Sequence, residues 1–164
     1  MHICQYSLPW IGSKLDIQKL SRELGIARPT LYEYLSFLEG TFFIKLIRPY
    51  ARGKNSEIRK SPKVYLCDTG LANRLATLDE GKVFENSVFQ NLRPRGEIAY
   101  YEKKNGAEID FLLDKTHAFE VKITPRQRDV NQLKRVTEEL GMKSFQAVSK
   151  NFTGLNDTLY GFMI

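Results

Sequence analysis

Acidic residues stand inside two apolar runs near the middle of the chain, and this placement constrains the fold more than any other feature. In "EIDFLL" Asp110 interrupts a strand-like run, and in "HAFEVKI" Glu120 and Lys122 interrupt the next one. Because side chains alternate along a strand, Glu120 and Lys122 share one face, and the apolar residues flanking Glu120 face the core. The sequence therefore predicts a hairpin with charged side chains at the margin of a buried sheet.

The register of this hairpin depends on the length of its turn. A three-residue turn at 114–116 places Asp110 opposite Glu120, whereas a four-residue turn places Phe111 there and separates the two acids. The turn sequence is polar enough for either length. We take the three-residue turn as the prediction.

A third acid belongs to the helix that precedes the hairpin, in "GKVFENSVFQNLR". At 100° per residue, Glu85 falls within the apolar stripe of this helix, which consists of Phe84, Val88, Phe89 and Leu92. A carboxylate in that position costs several kcal/mol unless it is paired, hydrogen-bonded or bound to a metal. We therefore expect Glu85 to join the acids of the hairpin.

Carboxylates on adjacent strands suit Mg²⁺ or Mn²⁺, since these ions prefer oxygen ligands. Such a metal can bind a phosphate oxygen and lower the pKa of a water, and a nearby lysine can stabilise charge on the phosphoryl group. Asp110, Glu120 and Lys122 therefore indicate phosphodiester hydrolysis. The alternative is that Glu120 and Lys122 form an ordinary salt bridge on an exposed sheet face.

The N-terminal part has the pattern of two short helices joined by a turn. Gly25 ends the first helix and Pro29 lies in the first turn of the second. Two strand-like runs follow, at 42–47 and 63–67, on either side of a loop rich in Lys and Arg. This order predicts a helix-turn-helix followed by a basic wing.

The charge of the chain indicates a polyanionic partner. The net charge is +6, and residues 1–70 supply +5 of it. Candidate DNA contacts lie on the second helix and in the wing: Arg28, Thr30, Tyr32, Arg52, Lys54, Arg59 and Lys60. Glu33 and Glu39 oppose a groove-binding role for this helix, so the alternative is a module that docks onto another protein domain.

Composition predicts a reduced cytoplasmic protein without a membrane segment. Hydrophobic residues make up 42% of the chain, enough for a buried core, and no run of 18 apolar residues is present. Cys4 and Cys67 form neither a disulfide framework nor a metal-ligand spacing. The first ten residues lack the pattern of a signal peptide.

The order of these features resembles a known superfamily. A helix with Glu85, a strand with Asp110, a strand with "EVK", then a helix and a strand resembles the αβββαβ core of the restriction-endonuclease-like, or PD-(D/E)XK, nucleases. "KVYLCDTGLANRL", "GKVFENSVFQNL", "AEIDFLL" and "FEVK" are similar to the C-terminal region of archaeal and bacterial AAA+ ATPases. The resemblance implies an α/β chain: a winged helix-turn-helix at 1–77 and a restriction-endonuclease-like domain with a mixed sheet at 78–164.

The resemblance also implies roles for individual residues. It makes four residues catalytic, of which the three acids bind Mg²⁺ or Mn²⁺: Glu85, Asp110, Glu120 and Lys122. Gln132 matches the glutamine of an accessory glutamine–tyrosine pair, but Val136 occupies the tyrosine position. Ile109 stands where many members have a proline.

The same resemblance implies an ATPase domain as partner, in cis or in trans. This chain has no G-x4-GK[ST] motif, so we expect no ATP hydrolysis from it. We expect a fragment, an excised domain or a stand-alone relative. Three functions remain open: a metal-dependent nuclease, an inactive DNA-docking or regulatory module of an ATPase, and a winged-helix transcription factor with an unrelated sensor domain.

Overall fold

Four α-helices and two β-sheets make up the part of the chain that the structure, a computed structural model, describes. The fold is therefore mixed α/β, as predicted. The described residues are 10–51, 61–68, 70, 78–103 and 106–164.

The first four elements are two helices and a two-stranded antiparallel ribbon. They are α1 (Ile17–Leu24), α2 (Arg28–Gly40), β1 (Ile44–Ile47) and β2 (Lys63–Leu66). Asp16 caps α1 by accepting the N–H of Lys19, and Gly25 ends the helix with φ 64°. The predicted helix pair and its two strands are thus confirmed. The loop that carries the predicted wing residues 52–60 lies outside the described residues.

The second half supplies two helices and a five-stranded mixed sheet. Its elements are α3 (Glu80–Leu92), β3 (Ile98–Glu102), β4 (Glu108–Leu113), β5 (His117–Lys122), α4 (Gln127–Leu140), β6 (Ser144–Ser149) and β7 (Thr158–Tyr160). The strand order is β3-β4-β5-β6-β7, antiparallel from β3 to β5 and parallel from β5 to β7. Every predicted helix and strand of this half is present, and β7 adds a fifth strand to the sheet.

The two helices of this half cover opposite faces of the sheet. One core cluster joins α3 to the sheet through Phe84, Val88, Phe89, Phe111, Phe119 and Val121. A second cluster joins α4 to the other face through Leu112, Ala118, Leu133 and Val136. Strand β5 contributes Phe119 and Val121 to the first cluster and Ala118 to the second, as the period of two in a strand requires. The hairpin thus lies between two apolar layers.

Strand β2 belongs to both halves of the molecule. Val64 and Leu66 pack in the core formed with α1 and α2, whereas Tyr65 packs in the core beneath α3. A backbone bond from the Tyr50 N–H to the Tyr100 carbonyl (2.6 Å) adds a second connection. The predicted boundary between residues 77 and 78 borders residues outside the described part and stays a prediction. The halves nevertheless share one strand.

Within the described residues, no helix combines the length and apolar character needed to cross a bilayer.

Asn86 fastens α3 to β2, and this contact yields a stability prediction. Its side-chain oxygen accepts the Leu66 N–H (2.9 Å) and its amide donates to the Leu66 carbonyl (3.3 Å) in a fully buried setting. Asn86→Ala should lower the free energy of unfolding by about 2 kcal/mol, because the buried Leu66 N–H loses its acceptor. Urea unfolding checks this. Asn91→Ala, at an exposed position of the same helix, is the control, and equal losses in both variants would contradict the prediction.

Candidate functional site

The hairpin has the three-residue turn that the sequence analysis favoured. Leu113 pairs with His117 and Phe111 pairs with Phe119, so the turn comprises residues 114–116. Two of its residues, Asp114 and Lys115, have φ values of 50° and 58°. The register brings Asp110 next to the stretch of β5 that carries Glu120, as predicted.

A β-bulge lies at Asp110. From the Ala99–Leu112 pair to the Tyr101–Ile109 pair, β3 advances by two residues and β4 by three. Asp110 and Phe111 therefore together oppose one residue of β3. The Asp110 Oδ2 atom accepts the Val121 N–H (2.9 Å), which takes the place of a backbone acceptor at the end of the β4–β5 ladder. Bulges redirect side chains in this way near functional sites.

A buried lysine lies among the acids. The Lys63 Nζ atom is 2.5 Å from Glu108 Oε1, 3.2 Å from Asp110 Oδ1 and 3.6 Å from Glu85 Oε1. Its side chain is 5% exposed, and the ammonium lies 5.5 Å from the centroid of the Tyr100 ring. Burial lowers the pKa of Lys63, but the carboxylates outweigh this effect and raise the pKa overall. Lys63 is therefore a charged ammonium that bridges three carboxylates.

Glu85 is paired, as an acid inside an apolar helix face must be. The Tyr65 hydroxyl donates to Glu85 Oε1 (2.5 Å), and Lys63 lies beside the same oxygen. Burial raises the pKa of Glu85 to about 7, and the negative charge of Asp110 adds to the rise, against the opposing charge of Lys63. Glu85 and Asp110 thus share one cation and repel each other.

Glu120 and Lys122 lie on the face of β5 that is directed toward α4. Lys122 Nζ is 2.7 Å from Glu120 Oε1, and the Lys122 side chain is 44% exposed. The other carboxylate oxygen, Oε2, is buried and has no hydrogen-bond partner among the described residues. Burial raises the pKa of Glu120 to about 7, Asp110 adds to the rise, and Lys122 opposes it. The site therefore contains an acceptor that lacks a donor or a cation.

A cavity of about 190 Å³ opens beside this pair. Its lining residues are Glu108, Glu120, Lys122, Asp129, Gln132, Leu133 and Val136. Gln132, predicted as an accessory residue, thus lies beside two predicted catalytic residues. A larger cavity of about 670 Å³ between β1 and the end of α3 contains none of the predicted site residues.

The predicted DNA contacts divide into two groups. Arg28, Thr30 and Tyr32 lie in the first turns of α2, where Arg28 and Tyr32 line a cavity of about 480 Å³ together with Arg48. The remaining predicted contacts lie outside the described residues: Arg52, Lys54, Arg59 and Lys60.

The buried carboxylates around Lys63 and Lys122, here called the acid cluster, meet part of what a metal ion requires. Among the described residues, no three Asp, Glu, His or Cys side chains are arranged to hold an ion. Asp110 and Glu120 nevertheless offer the oxygen ligands that Mg²⁺ takes, with Glu120 Oε2 unpartnered. Two carboxylates suffice for Mg²⁺ when waters or phosphate oxygens complete its coordination. Glu85 is engaged by Tyr65 and Lys63 instead.

Sequence reasoning missed three participants in the cluster: Lys63, Tyr65 and Glu108. It gave Lys63 no role beyond the start of the second strand-like run, whereas Lys63 is 4% exposed and turned inward. The available signal was the strand "KVYL", in which Lys63 and Tyr65 share a face opposite to two core residues. The sequence does not show which sheet the face with Lys63 and Tyr65 packs against, so this pattern alone could not identify a site.

Two family models match the chain, each over about half of it. Residues 2–82 match a Domain of unknown function (DUF8612), and residues 80–158 match a Domain of unknown function (DUF4143). The uncharacterized protein Rv2008c of Mycobacterium tuberculosis is 27% identical over 69% of this chain and 29% of its own length. The uncharacterized protein MJ1544 of Methanocaldococcus jannaschii is 28% identical over 79% of this chain and 32% of its own.

The chain therefore spans about a third of the length of the curated relatives it matches. No solved structure matches it.

The raised pKa of Glu120 predicts a pH-dependent effect of Glu120→Gln on stability. The pKa rises from an ordinary value of 4.5 to about 7 on folding, so the folded state binds more protons than the unfolded state between these values. Stability from this group is present at low pH and lost as the pH rises from about 4.5 to about 7. The variant, measured in EDTA, should gain about 2 kcal/mol over wild type between pH 5 and pH 8.

Urea unfolding at several pH values measures this difference. Glu138→Gln, at an exposed position of α4, serves as the control and should follow wild type. A gain for Glu120→Gln that is independent of pH would show that Glu120 is already ionised at pH 5 in the folded protein.

Proposed function

We propose that this chain is a DNA-binding, nuclease-like module of an AAA+ ATPase family protein. The order α1-α2-β1-β2 supports a winged helix-turn-helix, and the order α3-β3-β4-β5-α4-β6 supports a restriction-endonuclease-like core. The curated relatives are about three times as long as the matched region, which leaves room for an ATPase domain in cis. The alternative is that the ATPase domain belongs to a separate chain that binds this one in trans.

The observation that carries the nuclease proposal is the unpartnered Glu120 Oε2 atom beside Lys122. Asp110 and Glu120 would hold Mg²⁺ or Mn²⁺, which when bound supplies Lewis-acid stabilisation of a phosphate and a more acidic water. Lys122 has its ammonium at the partly exposed mouth of the site, where it would stabilise charge on a phosphoryl group. Gln132 would bind the phosphate or water from the α4 side.

The remaining acid has a different role in this proposal. Glu85 accepts a hydrogen bond from the Tyr65 hydroxyl and lies against Lys63. It would therefore act through Asp110, by fixing the charge around that carboxylate, and not as a third metal ligand.

DNA binding would begin at α2. Arg28 lies at its first residue and is exposed, with Tyr32 one turn later and also exposed. Arg48 lines the same cavity, so two guanidinium groups and a phenol border one groove. Two cations beside an aromatic side chain suit a phosphate backbone.

The second candidate function is a docking or regulatory module that keeps the nuclease fold without activity. The observation in its favour is the position of Lys63, whose ammonium already compensates Asp110 and Glu85. In this case binding to DNA or to the ATPase would persist without cleavage.

Lys122→Ala should abolish metal-dependent cleavage of DNA. Removing one charged group that stabilises the transition state lowers the rate by about 10²-fold or more. The measurement is cleavage of circular and linear DNA with Mg²⁺ or Mn²⁺, with an EDTA blank. Lys143→Ala is the matched control, because Lys143 lies at the opposite end of the sheet, beside the hairpin turn.

Cutting by wild type and by Lys143→Ala, but not by Lys122→Ala, would establish the nuclease. The absence of cleavage in all three proteins, with DNA binding retained, would favour the docking module.

Arg28→Ala should weaken DNA binding in a salt-dependent way. The loss of one phosphate contact lowers the slope of log K against log salt by about 0.9. Fluorescence anisotropy with a labelled duplex at several salt concentrations measures this slope. Arg135→Ala, at an exposed position of α4, is the control. An unchanged slope in Arg28→Ala would exclude a phosphate contact at the start of α2.

A further inference from the structure

The cation in the acid cluster comes from the other half of the chain. Lys63 is the first residue of β2, and 47 residues separate it from Asp110. The β1–β2 pairing of Ile47 with Lys63 holds its backbone, and the adjacent Pro62 carbonyl accepts the Leu15 N–H (2.8 Å). The N-terminal half therefore determines where the ammonium lies.

The ammonium and a metal would compete for one carboxylate. Lys63 Nζ is 3.2 Å from Asp110 Oδ1, so any cation that binds to Asp110 shares that group with Lys63. Like charges a few ångströms apart repel strongly in a site screened from water. Lys63 is 4% exposed and cannot turn into solvent while β2 stays paired.

The contacts of Lys63 also indicate that its removal should raise the affinity of the site for a divalent metal. Its ammonium binds Glu108 at 2.5 Å and lies 3.6 Å from Glu85, so it neutralises acids on both sides of Asp110. Without Lys63, the three carboxylates would lack their shared cation. A divalent ion could then compensate the same carboxylates, and the gain from binding it would be larger.

We propose that Lys63 is a tethered competitor of the divalent metal, which keeps the acid cluster in a state of low metal affinity. This inference rests on the proposed function, since it takes Asp110 and Glu120 as the metal ligands. In this proposal, the packing of the N-terminal half against the sheet sets the metal affinity of the site.

The test is the affinity for Mn²⁺, measured by calorimetry and by the electron paramagnetic resonance of free Mn²⁺. Lys63→Met replaces the ammonium with a side chain of similar length and should bind Mn²⁺ at least tenfold more tightly than wild type. Lys103→Met is the matched control, because Lys103 pairs with Glu139 at 2.5 Å on the surface. Adding Asp110→Asn to Lys63→Met should remove the gain.

Thermal unfolding supplies a second readout that needs no catalysis. In EDTA the melting temperature of Lys63→Met should fall below that of wild type, and Mn²⁺ should raise it by more than it raises wild type. If Lys63→Met does not fold, Lys63→Gln removes the same charge and retains a donor for Asp110.

The outcomes separate this inference from the proposed function. If wild type binds Mn²⁺ through Asp110 and the Lys63 variants bind it equally or more weakly, the competition is wrong and the metal site stands. If neither wild type nor the variants bind Mn²⁺, both the metal site and the competition are wrong.

Discussion

The ion pair between Lys63 and Asp110 is the contact on which the rest of the site depends. Taking an ammonium and a carboxylate out of water is expensive, and their attraction repays the cost only when hydrogen bonds satisfy both groups. Here Glu108 and Glu85 complete the surroundings of Lys63, and the Val121 N–H completes those of Asp110. Separating β2 from the sheet would leave unpaired charges on both sides, so this pair and the shared core join the two halves.

The site lies where the pairing between β4 and β5 ends. The bulge at Asp110 adds one residue to β4, and the Asp110 side chain replaces a backbone acceptor for β5. Past that point β4 pairs with β3 but not with β5. Glu85 from α3 and Lys63 from β2 lie beside the Asp110 carboxylate there. The sheet therefore holds the site rigidly, and the bulge leaves room for side chains from α3 and β2 beside Asp110.

The sequence predicted the parts of this site that depend on local pattern. Periodicity predicted α3, β4 and β5, and the three-residue turn predicted the register that brings Asp110 toward Glu120. Lys63 could not be found in this way, since its position depends on how β2 packs against a sheet formed by residues far along the chain. The bulge was equally hidden, because "EIDFLL" has no glycine or proline to mark an irregularity.

The balance of charge around the bulge favours a cation in addition to the lysines. Within the described residues, ion pairs through Lys14 and Lys63 link four carboxylates: Glu85, Glu102, Glu108 and Asp110. The Glu120–Lys122 pair lies close enough to feel the charge of Asp110, which makes a group of five carboxylates and three lysines. Fully ionised, this group carries two negative charges more than it carries positive ones. Protons on Glu85 and Glu120, whose pKa values rise to about 7, would balance it. One divalent metal would balance it equally, and it would also occupy the acceptor that Glu120 leaves unpartnered.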